Sequence, residues 1–250
     1  MTNKLGIIDW GIGGISIYRL VKEHQPDLSV VYFSDTGATP YGKMERKELA
    51  ARLDVVIDFL KEKGVTHLII GCNAASTAIA DLADHGIKIE GVIDAAVQVA
   101  VNARPTRLGL IGGRRTVVSG IYRRAFAAKG IGLEQRVAQP LSGLIESGDV
   151  SSDKLRSEAK RILSPLKESS HVLLACTHYP AIENVLKEFV SRETCFIDPA
   201  KAVAERVAKW KLEPGGGGDR FYTTGDAEQM KSSARLAFGV KIPKVNKIKI

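Results

Sequence analysis

Short apolar runs recur along the chain, separated by stretches with helical spacing. Leu5–Ile8, Val30–Phe33, Leu68–Ile70, Ile89–Ile93, Leu108–Ile111, Val172–Leu174 and Phe196–Ile197 read as buried strands. Arg46–Lys61, Ser151–Leu163 and Ala200–Trp210 place apolar residues on one helical face. Strand–helix alternation predicts parallel sheets covered by helices, an α/β fold. Glu213–Pro214 followed by Gly215 to Gly218 reads as a surface connection. Lys241–Ile250 alternates lysine with apolar residues, which fits an edge strand or a basic tail.

The pattern also repeats. Leu5-Gly6-Ile7-Ile8 matches Leu108-Gly109-Leu110-Ile111 at an offset of 103 residues. Thr66-His67-Leu68-Ile69-Ile70-Gly71-Cys72 matches Ser170-His171-Val172-Leu173-Leu174-Ala175-Cys176 at an offset of 104. Val92-Ile93-Asp94-Ala95-Ala96 matches Phe196-Ile197-Asp198-Pro199-Ala200 at the same offset. Three matches in order at nearly one spacing predict two related parallel-sheet α/β domains, pseudo-symmetric about a cleft. The expected limits are residues 1–96 with 208–250 for the first domain and 97–207 for the second.

Composition narrows the classes. The 250 residues are 44% hydrophobic and 26% charged, which excludes a disordered or collagen-like chain. Lys+Arg number 36 against 28 Asp+Glu, a net charge of +8 that favours anionic partners. No apolar stretch approaches membrane-spanning length, and Asp9 interrupts the first one, so neither a membrane helix nor a signal peptide is expected. Three cysteines cannot form a disulfide framework, so free thiols and a cytoplasmic location are expected.

The repeat sets Cys72 and Cys176 at equivalent points just past a buried strand, with polar Asn73 after one and Thr177-His178 after the other. Ligands of parallel sheets bind beyond the carboxyl ends of the strands. Facing halves would therefore bring two thiols to opposite walls of one cleft. A helix opening after each cysteine is expected to favour the thiolate. Two opposed thiols can remove a proton from one face of a carbon and return one to the other, inverting a stereocentre without a cofactor. Asp9, Glu146 and His178 are the candidate assisting groups. Cys195, inside an apolar run and without a repeat partner, is expected to be an inert core thiol.

Ile7-Ile8-Asp9-Trp10-Gly11-Ile12-Gly13-Gly14 resembles the opening motif of the glutamate racemases. So do Tyr32-Phe33-Ser34-Asp35-Thr36 with Pro40-Tyr41-Gly42, Cys72-Asn73-Ala74-Ala75-Ser76, Cys176-Thr177-His178-Tyr179-Pro180, and Tyr222-Thr223-Thr224-Gly225-Asp226. The resemblance implies a two-domain fold with the site between the domains, and it implies residue roles. Cys72 would act on the α-proton of the D-enantiomer with help from Asp9. Cys176 would act on the L-enantiomer with help from His178, backed by Glu146. Asn73 and Thr177 would hold the α-carboxylate, and Pro40-Tyr41-Gly42 the distal one. The Gly11-Ile12-Gly13-Gly14 turn would bring backbone N–H groups close to an anion. A small amino acid, a dicarboxylate by preference, is the implied partner, and supply of D-glutamate for the cell wall the implied role. Oligomeric state is left open, a homodimer being one option.

The chain departs from the family pattern near the substrate. Trp10 stands where Ser is usual, Ala74 where Thr is usual, and Gly112-Gly113 where Ala-Thr often occurs. Another amino-acid substrate is therefore the alternative reading, with a non-catalytic homologue behind it. Zinc on Cys72, Cys176 and His178 lacks the paired ligand spacing of metal sites, so no metal is expected. Dinucleotide binding lacks its third glycine, where Ser16 stands. The arginines at 104, 107, 114, 115, 123 and 124 form a basic stretch, but no nucleic-acid module accompanies them, so nucleic acid is not an expected partner.

Overall fold

The computed structural model describes residues 4–214 and 217–250. Among the described residues ten strands form two sheets, and every neighbouring pair runs parallel. The first sheet contains β1 (Leu5–Asp9), β2 (Val30–Ser34), β3 (His67–Ile70), β4 (Lys88–Gly91) and two late strands, β9 (Arg220–Thr223) and β10 (Val245–Lys247). Its order is β10-β9-β2-β1-β3-β4. The second sheet contains β5 (Leu108–Gly112), β6 (Leu133–Val137), β7 (His171–Ala175) and β8 (Cys195–Ile197), in the order β6-β5-β7-β8.

The strands β1, β2 and β5 are buried at every position. That is why they read as unbroken apolar runs: helices cover both faces of a parallel sheet. The edge strand β6 (Leu-Glu-Gln-Arg-Val) is half-buried and carries no such run. The lysine-alternating C-terminal segment supplies β10, an edge strand beside β9.

The chain crosses between the sheets twice, through the helices Val92–Asn102 and Pro199–Lys209. They pack against each other and form the seam of the molecule. Val92 and Ala95 enter the first sheet's core with Leu5 and Ile7, whereas Ile93, Ala96 and Ala100 pack with Leu108 and Leu110 of the second. The domain limits expected at 96/97 and 207/208 fall inside these two helices.

Two expectations change. Ile89–Ile93 does not continue as a strand: β4 stops at Gly91, and Ser76 Oγ receives the N–H of Val92 at 3.2 Å as the next helix begins. Cys195 is exposed rather than buried, because it opens β8, the edge strand of the second sheet. Of the glycine-rich connection, residues 215 and 216 lie outside the described residues. Gly217 and Gly218 have φ of 134° and 66°, which glycine tolerates best. Among the described residues no helix is long and apolar enough to cross a membrane.

Candidate active site

Strand ends position the chemistry. Asp9 is the last residue of β1, Cys72 follows β3, and Cys176 follows β7 directly. All three line one cavity of about 350 Å³ between the sheets. Trp10, Pro40, Tyr41, Gly42, Asn73, Ala74, Thr177 and His178 line it as well, so the expected substrate-contacting residues converge. Glu146 stands behind the wall rather than in it, with Oε2 2.6 Å from Nε2 of His178. Lys43, Arg114, Thr116, Gln139 and Ser142 complete the polar lining and were not among the expected residues.

Hydrogen bonds across the cleft fix the two halves together. Thr177 donates to Oδ2 of Asp9 at 2.8 Å, and the backbone N–H of Ile12 donates to Oε2 of Glu146 at 2.9 Å. Nε of Arg115 donates to the Thr77 hydroxyl at 3.0 Å, so this arginine ties the halves instead of joining a free basic face. Tyr122, fully buried, donates to Oδ1 of Asn73 at 2.7 Å. That bond orients the amide: the buried Nδ2 of Asn73 has no protein partner and belongs to a residue lining the cavity.

Two glycines are required by close approach. A Cβ on Gly11 would lie 2.0 Å from Oε2 of Glu146. One on Gly13 would lie 2.4 Å from the Thr177 hydroxyl and 2.7 Å from Nδ1 of His178. The glycine turn does bring a backbone N–H to an anion, as its sequence implies. The anion it meets in the fold is the Glu146 carboxylate.

Electrostatics differentiate the groups. Burial raises the Asp9 carboxyl above its ordinary range, against the opposing pull of His178 and the Thr177 hydroxyl. Burial also pushes the Cys72 thiol well up, and the Asp9 charge adds to this. The backbone N–H groups of Ala75 and Ala74 act the other way, as a helix start should, but the helix Asn73–Ser76 is a single turn and burial outweighs it. The expected helix-driven thiolate at Cys72 is thereby corrected. At His178, burial disfavours the charge. The bonds to Cys176 and Glu146 with their charges outweigh it, and the imidazole is held well above its usual range. Protonated, His178 donates from Nε2 to Glu146 and from Nδ1 to Cys176 Sγ, 3.6 Å away.

Trp10 occupies its place without blocking the cavity. Its indole N–H donates to the carbonyl of Ala38 at 3.2 Å, and its ring packs on the core around Phe33 and Tyr41. Among the described residues no group of three or more His, Cys, Asp or Glu side chains is arranged to hold a metal ion.

Comparison with known proteins places the fold and the family. The family model described as Asp/Glu/Hydantoin racemase matches residues 5–207. A glutamate racemase of Beutenbergia cavernae is 31% identical over 97% of this chain and 91% of its own length. The glutamate racemase of Thermus thermophilus in complex with β-chloro-D-alanine superimposes with a TM-score of 0.86 at 26% identity, over 100% of this chain and 98% of that one. A Bacillus anthracis glutamate racemase shares the fold with a TM-score of 0.90 at 23% identity, over 99% and 98%. Matched by the family model over residues 5–207 and by a relative along almost its whole length, the chain belongs to the Asp/Glu/hydantoin racemase family.

Proposed function

We propose that this protein is a cofactor-independent glutamate racemase that works with two cysteine bases. The observation that carries the reading is the presence of Cys72 and Cys176 in one cavity, each beyond the carboxyl end of a strand in its own sheet. One sulfur as thiolate takes the α-proton and leaves a planar carbanion. The other, as thiol, delivers its proton to the opposite face, and the enzyme ends with the two protonation states exchanged. Cys176 serves the L-enantiomer, with the His178 imidazolium beside its sulfur. Cys72 serves the D-enantiomer, with Asp9 as a buried carboxyl able to exchange a proton near it. The free Nδ2 of Asn73 supports its role as donor to the α-carboxylate. The Thr177 hydroxyl already donates to Asp9, so that residue offers the substrate its backbone N–H or its hydroxyl lone pair.

The glutamate assignment draws on the relatives. The losses at Trp10, Ala74 and Gly113 are offset in part by polar groups from Gln139, Ser142 and Thr116, which line the same cavity. Supply of D-glutamate for cell-wall synthesis, the role that the likeness to glutamate racemases implies, is the physiological place of this reading. The domains are taken as residues 1–96 with 208–250, and 97–207, and the protein as cytoplasmic. The test is incubation with L-glutamate and no added cofactor, followed by circular dichroism. Loss of the signal to a racemic end point, abolished in both Cys72→Ala and Cys176→Ala, is expected. Racemisation of a different amino acid only, or activity surviving either substitution, would overturn the assignment.

A further inference from the structure

Gln139 opens the helix Gln139–Glu146, whose other end holds His178 through Glu146. Seven residues of helix separate the two by roughly 10 Å. Its side chain lines the cavity at a distance from the sulfurs' assisting groups, and its amide is locked. Oε1 accepts from the backbone N–H of Arg114 at 3.1 Å, and Nε2 donates to the Ser142 hydroxyl at 3.0 Å. That hydroxyl in turn donates to the carbonyl of Gln139 at 2.9 Å. The orientation is not interchangeable, because a backbone N–H cannot donate to an NH₂ group. One Nε2 hydrogen has no acceptor among the described residues.

The amide sits where the halves approach. Its Oε1 lies 3.2 Å from the position of a Cβ on Gly113 and 3.5 Å from one on Gly42. Gly42 belongs to the turn expected to receive the substrate's distal carboxylate. Lys43, which follows Gly42, and Arg114, which follows Gly113, also line the cavity, while Asp9 is its one acidic lining residue. A carboxylate on the substrate side chain would thus meet cations and amide donors, with no carboxylate of the protein opposing it.

We infer that Gln139 is a specificity-determining residue, its second Nε2 hydrogen donated to the distal carboxylate of the substrate. The inference rests on the glutamate racemase reading and deepens it. Gln139→Glu keeps the shape and the bond from Arg114 but replaces that donor with a negative charge. Gln139→Leu removes the donor without adding charge, along with the bonds to Arg114 and Ser142. The measurements are KM and kcat for L-glutamate, the Kd of D-glutamate by calorimetry, and the rate with L-norvaline, which lacks the distal carboxylate.

Gln139→Leu is expected to raise KM and Kd for glutamate at least about tenfold, as losing a hydrogen bond to a charge does. Gln139→Glu should raise them further. kcat should change less than KM, and the preference for glutamate over norvaline should narrow. Unchanged Kd in both variants, or a fall in kcat with KM constant, would overturn the role. Gln139→Glu, nearly isosteric, keeps the test decisive if the leucine variant fails to fold. A wild-type protein inactive on glutamate would overturn the functional reading and this role with it. A wild-type protein active on glutamate, with both variants unchanged, would overturn this role alone.

Discussion

Replacing Glu146 by Gln tests the support behind the second thiol. Glu146 accepts from Nε2 of His178 at 2.6 Å and from the N–H of Ile12 at 2.9 Å, and its side chain is only 13% exposed. Glutamine preserves the shape and one accepting oxygen but removes the charge. A hydrogen bond to a charged group is worth ~1.5–3 kcal/mol and a neutral one about half that, so the two bonds together lose about 1.5–3 kcal/mol. For a chain of this size the melting temperature should fall by roughly 3–10 °C.

The loss carries a pH signature. The folded-state pKa of His178 is raised, so the pair's contribution is fully present below the pH where an unfolded histidine titrates, about 6.5. It fades as pH rises through the higher folded value. The gap in melting temperature between wild type and variant should therefore be widest from about pH 5 to 6.5 and narrow in alkali. Racemisation should fall by about tenfold to a hundredfold, the rate equivalent of the same free energy. Thermal melts across pH, with polarimetric rates at each, supply both readouts. A variant that melts and turns over like wild type at every pH would refute the idea that Glu146 sustains the His178 cation.

Three further outcomes are expected. Tyr122→Phe frees the Asn73 amide to turn and should raise KM several-fold at nearly constant kcat, with a stability loss of about 1 kcal/mol by chemical denaturation. Gly13→Ala, whose methyl would meet Thr177 and His178, should abolish racemisation, whereas Gly132→Ala, with no atom within 4 Å of the new carbon, should leave it intact. A maleimide should label the exposed Cys195 in Cys72→Ala/Cys176→Ala protein, and Cys195→Ala should racemise at the wild-type rate.

Much of the architecture is legible because parallel strands are buried on both faces and leave continuous apolar runs. Those runs locate β1, β2, β3, β5 and β7, and their repetition sets Cys72 and Cys176 at equivalent points of the two halves, both of which line one cavity. The edge strands mark themselves less well: short apolar runs flag β4 and β8 and lysine alternation flags β10, but β6 carries no run. β6 is half-polar, and the run that opens with Cys195 lies at a sheet edge, so its thiol faces outward. At the site, Asp9 and His178 are readable from their adjacency to strand ends and to cysteine. Tyr122 and Arg115 are not, because each acts across the cleft on a residue at least 38 positions away. Gly113 shows the same limit. Its missing hydroxyl looks like a loss in sequence, while in the fold the Gln139 amide lies 3.2 Å from where the side chain would begin.

The sharpest check on two bases is where the label goes when L-glutamate is converted in deuterated water. With distinct thiols on the two faces, the D-glutamate first formed carries one solvent deuterium at Cα, and the L-glutamate still present carries none. D-glutamate that keeps the original protium, or L-glutamate that exchanges ahead of inversion, would mean a single base moving the proton across, and the pairing of Cys72 with Cys176 would be wrong.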